Sequence, residues 1–551
     1  MILHGSILRT LGAGLVLASS VLLVTSVDAA SPPASVVKTL NLSLPGPFNG
    51  CTVLDSGATP TTNAILDLLR PSAFLTTTND NLAGEGGAIA SAELVSLSPE
   101  TVVYTIAPGQ HWSDGASFSG IDLVSWWLRA KQLASIQSDG YRDIRSLAET
   151  NAGLTVTATF SQPYAEWNLL FRDVEAIGTP AGCSWSSFLA RPSLGPYDLV
   201  SATDNRFVLV ANKDWTLDPG RFGRIVISDS STIPASPSAY FASYSLDVTS
   251  ATVEAVSAHP SVSSHIGTSS ENAEITFAPS RPLTKVLALR EALSLILDRQ
   301  SIINDIYGSV TFSPAVAQSS LYSQGQAAYP GGNGSAPSAQ STTTTVPSTQ
   351  QTGSLNDCAL CAVNLFEKFD YIKMPSGWFS ATGARLSLAV AVGPTALDQA
   401  VAVQVETQWR NDGIAVTSLN VRSDDLAAYK AASNEVDVAI FTRPTTTTAS
   451  SSARSFAGPG YLDSYPSGVR SGALTELYTT GVSIYNPVTA QGTWLKLDQD
   501  VMNEFWVRPL FTAPSLVEWS TAIGQVYGSF SVPGLVDQVT GWGIVQPTSQ
   551  G

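Results

Sequence analysis

Histidine is nearly missing from this chain, with four in 551 residues, and His4 falls in the leader described below. Only His111, His259 and His265 remain as general bases for a serine triad, and no G-x-S-x-G turn accompanies them. His259 and His265 sit in the irregular, Ser-rich stretch "SAHPSVSSHIG". The H-E-x-x-H spacing of a helical zinc site is absent, and "GGNGSAPS" lacks the Lys and the strand–helix setting of a phosphate loop. Whether any two of the 44 acids meet across a cleft as glycosidase carboxylates do is not written in the sequence. Charge is scarce too: charged residues make up 13% of the chain and balance at −16. That sign repels nucleic acid and anionic lipid headgroups, so neither is expected as a partner. No catalytic residue, metal ligand or cofactor is expected.

Long hydrophobic runs are also rare. The single strong one, Leu11 to Thr25, follows Arg9 and precedes the small residues of "VDAA". This reads as a signal peptide over 1–29, cut after Ala29 or Ala30. The other reading, an uncleaved anchor, needs roughly 20 apolar residues, more than the run supplies. The first cysteine is Cys51, so lipid attachment at a processed N-terminus is not expected. The chain is therefore expected outside the cell membrane, in the periplasm or envelope. Hydrophobic residues still reach 44%, enough for folded cores. The length implies about three or four domain-sized units.

Export favours disulfides, and four cysteines permit three pairings. Cys358 and Cys361 ("CALC") have the spacing of a redox or metal pair. However, Cys51 and Cys183 form no second close pair, and a Ser/Thr-rich loop rather than a strand precedes "CALC". Structural bridges Cys51–Cys183 and Cys358–Cys361 are the expectation.

The stretch "YTIAPGQHWSDGASFSGIDLVSWW", Tyr104 to Trp127, gathers a histidine, two carboxylates and three tryptophans. Local structure accounts for most of them. Asp114-Gly115 signals a tight turn, and Ser119 with Asp122 three residues later is an N-cap followed by an acid. His111 is expected at the surface. A helix is expected over Thr59 to Leu69, paired strands over "ELVSLSPETVVYTIAPG", and a strand leading into a helix over "GLTVTATFSQPYAEWNLLF". Gly195 to Trp215 reads as a bent pair of strands. In "PLTKVLALREALSLILDRQSIINDIYG", Val286, Leu289, Leu293 and Ile296 share a helix face, Asp298 caps a second helix and Gly308 ends it. Residues 325–353 are low-complexity, a surface loop inside a domain. "EVDVAIFTR" is a central strand, and a helix and a Pro509-containing strand close the chain. The pattern is mixed α/β throughout.

In order, these segments resemble the extracellular solute-binding proteins of the peptide and nickel type, which serve ABC importers. The resemblance lies in the W-S-D-G region, in "GPYDLV" with "LVANKDW", and in "LREALSLILDRQSIINDIYG", "WRNDGIAV" and "VRPLF". It implies a periplasmic-binding-protein-like two-lobe fold (type II, cluster C) with an additional small α/β domain. Lobe I would take residues 31–56, 190–282 and 515–551, the small domain 57–189, and lobe II 283–514. Crossings between lobes would fall near Pro279–Pro282 and Ala513–Ser515. The implied function is binding an oligopeptide or similar small solute and passing it to ABC permease subunits, as a monomer. The alternative is a binding-protein fold used in envelope assembly or regulation without transport. Peptide-binding members place an Asp after the strand matching "VDVAIFTR" to meet the peptide's amino terminus. Here the segment reads "FTRPTTTTASSSARSF", with no acid before Asp463. Arg443 suits a carboxylate or phosphate there, or pairs with a neighbouring acid. Phe441, Arg443, Tyr461 and Asp463 are the expected ligand contacts, while Trp409 packs its helix on the sheet.

Overall fold

The computed structural model describes residues 38–46, 48, 50–55, 59–77, 82–133, 139–179, 183–218, 220–229, 239–278, 281–308, 310, 312–324, 326, 328–330, 357–420, 435–445, 448–457, 471–528 and 531–545. The expected signal peptide, most of the loop 325–353, and both Tyr461 and Asp463 lie outside the described residues.

Strand β1 (Thr39–Leu44) is followed by a short hairpin, β2 (Phe74–Thr76) and β3 (Leu82–Gly84). A four-stranded antiparallel sheet comes next: β4 (Ile89–Leu97), β5 (Glu100–Ile106), β6 (Ile144–Thr150) and β7 (Thr155–Phe160). Then β8 (Tyr197–Thr203), β9 (Arg206–Ala211), β10 (Arg224–Asp229) and β11 (Phe241–Ser245) assemble around β1. The long β12 (Val262–Phe277) precedes a hairpin, β13 (Tyr371–Met374) and β14 (Gly377–Ser380), and then β15 (Ser387–Val392), β16 (Ala415–Asn420) and β17 (Val438–Pro444). A second long strand, β18 (Val507–Ser520), lies close to the C-terminus.

Ten of these strands form one sheet, in the order β16-β15-β17-β12-β18-β11-β1-β10-β9-β8. Its middle is what matters for function. The first part of β12, Val262 to Thr268, pairs with Ser520 to Pro514 of β18, which in turn pairs with β11. The second part, from Asn272, pairs with Thr512 to Val507, and β17 covers its other edge. Two strands are thus shared by two half-sheets, and their register slips between Thr268 and Asn272. Pro514 stands opposite Thr268 at that slip and Pro509 opposite Glu274 at a second one. Proline cannot donate to a ladder, so in a central strand it belongs where the ladder is already broken. The sheet changes neighbours at this point, before Pro279–Pro282, which follows the end of β12.

Capping chemistry sets the helices. Thr59 accepts from Thr62 N to start α1 (Pro60–Leu69), with proline at its first position. Asp122 Oδ2 accepts from Ser119 N at 2.9 Å at the start of α2 (Gly120–Ala130), and its Oδ1 takes Trp112 Nε1 at 3.2 Å. Asp114 Oδ1 accepts from Ala116 N, and Gly115 has φ 88°. The Tyr104–Trp127 stretch is therefore a frame. Helices α3 (Trp185–Leu189), α4 (Ser250–Ser257), α5 (Leu287–Leu295) and α6 (Arg299–Tyr307) follow. Asp298 accepts from Ser301 N to cap α6, and a Cβ on Gly308 at its end would come 2.4 Å from Asn304 O. The rest are α7 (Ala359–Lys368), α8 (Ala396–Asn411), α9 (Ala449–Ala457), α10 (Gly472–Val482), α11 (Pro487–Asn503) and α12 (Val532–Val536). Trp409 is fully buried, and its Nε1 donates to Leu293 O at 3.0 Å.

One expected helix is corrected. After β7 there is only a 3-10 turn, Trp167–Leu169. Leu170 is already extended, with φ −89° and ψ 158°, and Phe171 has φ 55°, so the turn does not continue into a helix. Among the described residues no helix is long and apolar enough to cross a membrane.

Candidate ligand-binding site

Three large apolar clusters occur among the described residues. One lies under β1 and β8–β11, a second under β15–β17 with α5, α6 and α8. The third begins at the small sheet and α2, with Tyr104, Trp112 and Trp126, and continues into Leu321, Tyr322, Phe441 and Phe456. It therefore spans the seam between the small sheet and helices α9–α11.

Polar contacts cross that seam. Arg454 of α9 donates Nη2 to Tyr164 OH at 2.9 Å and stands 3.5 Å from Asp139 Oδ2. Tyr478 OH of α10 donates to the same aspartate. Tyr485 OH donates to Glu100 Oε2 at 2.6 Å, and Ala165 N to Val482 O at 2.6 Å. Burial pushes the Glu100 carboxyl up, against the hydrogen bonds from Tyr485 and Tyr164 N. No pair here is near in sequence: Arg454 and Tyr164 are 290 residues apart, Tyr478 and Asp139 339. Separations of that size leave no trace in periodicity or composition, and sequence reasoning missed this whole set.

Beside the seam, the even-numbered face of β12 carries Ser270, Asn272 and Glu274, all buried. Arg443 on β17 donates Nε to Glu274 Oε1 at 2.9 Å and Nη2 to Ser320 O, and its guanidinium lies 5.0 Å from the Phe456 ring centre. The charge of Arg443 is thus met by an acid built into the neighbouring strand. Burial pushes the Glu274 carboxyl up and Arg443 pulls it down, with the rise winning. Phe441 is buried, two residues back on the same strand and opposite Glu274 in register. The structure brings Phe441 and Arg443 together on one strand beside the seam.

The loop over this face is tied down by buried acceptors. Asp498 Oδ1 of α11 accepts from Ser320 N, Ser320 Oγ and Leu321 N at 2.9, 2.7 and 3.3 Å. Ser323 and Thr445 share a hydroxyl–hydroxyl bond, and Thr512 Oγ1 donates to Asn272 Oδ1 at 2.9 Å. Among the described residues Asn272 Nδ2 and Glu274 Oε2 are buried without a hydrogen-bond partner. An unmet donor and acceptor two residues apart on one strand face are what a polar ligand satisfies, because leaving either unpaired costs about 1–3 kcal/mol. No group of three His, Cys, Asp or Glu side chains suited to a metal occurs among the described residues.

A sheet divided by two shared strands, with a third body closed against one half, defines a two-lobe solute-binding protein of the periplasmic type. Solved structures agree on that fold. A periplasmic EDTA-binding protein, EppA, superposes with TM-score 0.75 at 17% identity over 96% of this chain and 100% of that one. The oligopeptide-binding protein AppA of Bacillus subtilis, in complex with a nonapeptide, gives 0.72 at 13% over 92% and 99%. Residues 86–461 match the family model of the bacterial extracellular solute-binding proteins, family 5, middle region, and the chain belongs to that family. Its members are extracellular or periplasmic binding proteins of the ABC importer type, not enzymes. Among curated relatives, LpqW of Mycobacterium tuberculosis, a probable monoacyl phosphatidylinositol tetramannoside-binding protein, is 31% identical over 126 residues, 22% of this chain and 20% of that one. The oligopeptide-binding protein OppA of Mycobacterium bovis is 26% identical over 296 residues, 49% of each chain. The chain spans about half or less of the length of these relatives.

Proposed function

We propose that this protein captures an oligopeptide or similar small solute between two lobes outside the cell membrane and delivers it to an ABC permease. The observation that carries the reading is the pair of shared strands, β12 and β18, slipping register together at Thr268–Asn272. Two strands broken at one level form a hinge, and closure about it buries a ligand while its polar ends are satisfied. The lobes proposed are 31–56 with 190–282 and 515–551, and 283–514, with 57–189 as the added domain. Phe441, Asn272 and Glu274 are the proposed contacts beneath the ligand, with Tyr461 and Asp463 from the segment that follows α9. Arg443 acts through Glu274 rather than as a free anion anchor.

A second reading, in envelope assembly without transport, is favoured by the likeness to LpqW, whose name concerns a monoacyl phosphatidylinositol tetramannoside. One experiment separates the two. Mass spectrometry of what co-purifies with the exported protein is followed by a thermal-shift panel of peptides and glycolipids. A bound peptide that raises the melting temperature supports capture for import, and a glycolipid supports the second reading. Protein that carries nothing and responds to no compound of either class would sink both. Asn272→Ala should weaken the identified ligand about tenfold, the equivalent of one buried hydrogen bond.

A further inference from the structure

The two disulfides differ in what an attacking thiol can reach and what it would expel. Cys51–Cys183 joins residues 132 apart, and Cys51 is 1% exposed, set in the apolar cluster of Phe48, Leu42 and Ile65. Cys183 is exposed, but attack on it would release Cys51 as a thiolate into apolar surroundings, which raise a thiol's pKa and make it a poor leaving group.

Cys358–Cys361 is the opposite case. The cysteines are three apart, Cys361 is exposed, and Leu360 between them is 72% exposed. Cys358 is the N-cap of α7, and its Sγ accepts from Cys361 N at 3.2 Å. Negative charge on that sulfur is stabilised by the first-turn amide and by the helix dipole.

We propose that Cys358–Cys361 is a thiol–disulfide exchange site, opened by an external dithiol while Cys51–Cys183 stays closed. The dithiol's thiolate attacks Cys361 Sγ, a new sulfur–sulfur bond forms there, and the electron pair of the broken bond leaves on Cys358 Sγ. The second thiol of the reagent, once deprotonated, attacks its own sulfur in the mixed disulfide and releases Cys361 as a thiolate. Protons from solvent convert the pair to thiols. The protein gains two electrons and two protons, and the dithiol becomes a cyclic or protein disulfide.

The bridge also holds a charge in place. Asp357, next to Cys358, accepts from Arg299 Nε at 2.7 Å and Arg508 Nη2 at 2.8 Å on one oxygen, and from Arg299 N at 2.9 Å on the other. Both guanidinia are buried, and Arg508 lies on β18. Opening the first turn of α7 loosens the carboxylate that separates them, so reduction is felt at the sheet centre.

The test pulses the full oxidised protein with dithiothreitol under native conditions, traps thiols with N-ethylmaleimide and maps them by peptide mass spectrometry. Cys358 and Cys361 should label at least about tenfold faster than Cys51 and Cys183, the advantage expected for an accessible bridge with a stabilised leaving sulfur. The melting temperature should fall once the fast pair has opened. A Cys358→Ser/Cys361→Ser double variant should lose the fast phase, keep the slow one and no longer respond to a short pulse. Labelling of all four cysteines together, or of Cys51 and Cys183 first, overturns the proposal. If the double variant does not fold, the wild-type time course alone decides.

Discussion

Two buried charge clusters stand side by side, three residues apart in sequence and built with opposite imbalance. Around Glu175 three guanidinia converge: Arg70 Nη1 at 2.8 Å, Arg191 Nη1 at 2.5 Å and Arg129 Nη1. Around Arg172 the excess is acidic. Asp67 lies at 3.3 Å, and Asp173, Asp537 and Glu85 press in from other segments. Burial pushes the Glu175 carboxyl up, but the three guanidinia more than reverse this and leave it below the ordinary range. In the other cluster burial wins. Asp173 and Asp537 are driven well above the carboxylate range, with Asp67 adding to the rise, and Glu85 reaches about 8. An arginine does not surrender its proton, so surplus guanidinium keeps an anion charged into acid; surplus carboxylate is relieved by taking up protons. One cluster is a rivet, the other a titrating joint.

Both tie α1 and the segment that follows β7 to neighbouring elements. Glu175 collects the ends of α1 and α2 and the approach to β8. The acid cluster ties α1 to the β2–β3 hairpin and to the end of α12, where Asp537 Oδ2 accepts from Thr76 N at 3.0 Å.

The contrast can be broken at several points. Glu175→Gln leaves three guanidinia facing one another and should cost about 3–5 kcal/mol in denaturant unfolding at neutral pH. Arg172→Met should cost less, about 1–3 kcal/mol above the Glu85 value of about 8, and still less in mild acid, where the carboxyls are protonated. The pH dependence follows from the two signs. Glu85 has a raised folded value, so its stabilising contribution is full below the ordinary 4.5 and is lost as pH rises through about 8. Glu175 has a lowered value, so its contribution is present above 4.5 and lost as pH falls below it. The melting temperature should therefore peak in mild acid, and Glu85→Gln should flatten the alkaline slope while leaving the acid limb. Lys496→Ala sets the lower bound: it breaks an exposed pair with Asp500 on α11 and should cost under about 0.5 kcal/mol.

What the sequence disclosed was local. Ser119, Asp122, Asp298 and Gly308 announce helix ends through contacts within four residues, and "CALC" and "DG" carry their geometry in the letters themselves. The resemblance in segment order carried the fold class. Neither the seam nor the charge clusters could be read this way. Asp67 and Arg172 are 105 residues apart, Thr76 and Asp537 461, so only the folded topology joins them. Arg443 shows the limit most clearly. An arginine after a central strand reads as an anion anchor or as a strand partner, and only the fold shows that Glu274, 169 residues away, lies within hydrogen-bonding reach of it.

The central claim is that two lobes close on a guest by bending at β12 and β18. Spin labels at Leu128→Cys on α2 and Val488→Cys on α11, both exposed, would report the distance across the seam. The distance measured with the co-purified ligand should be shorter and narrower in distribution than after its removal. One unchanged distribution in both samples would contradict closure.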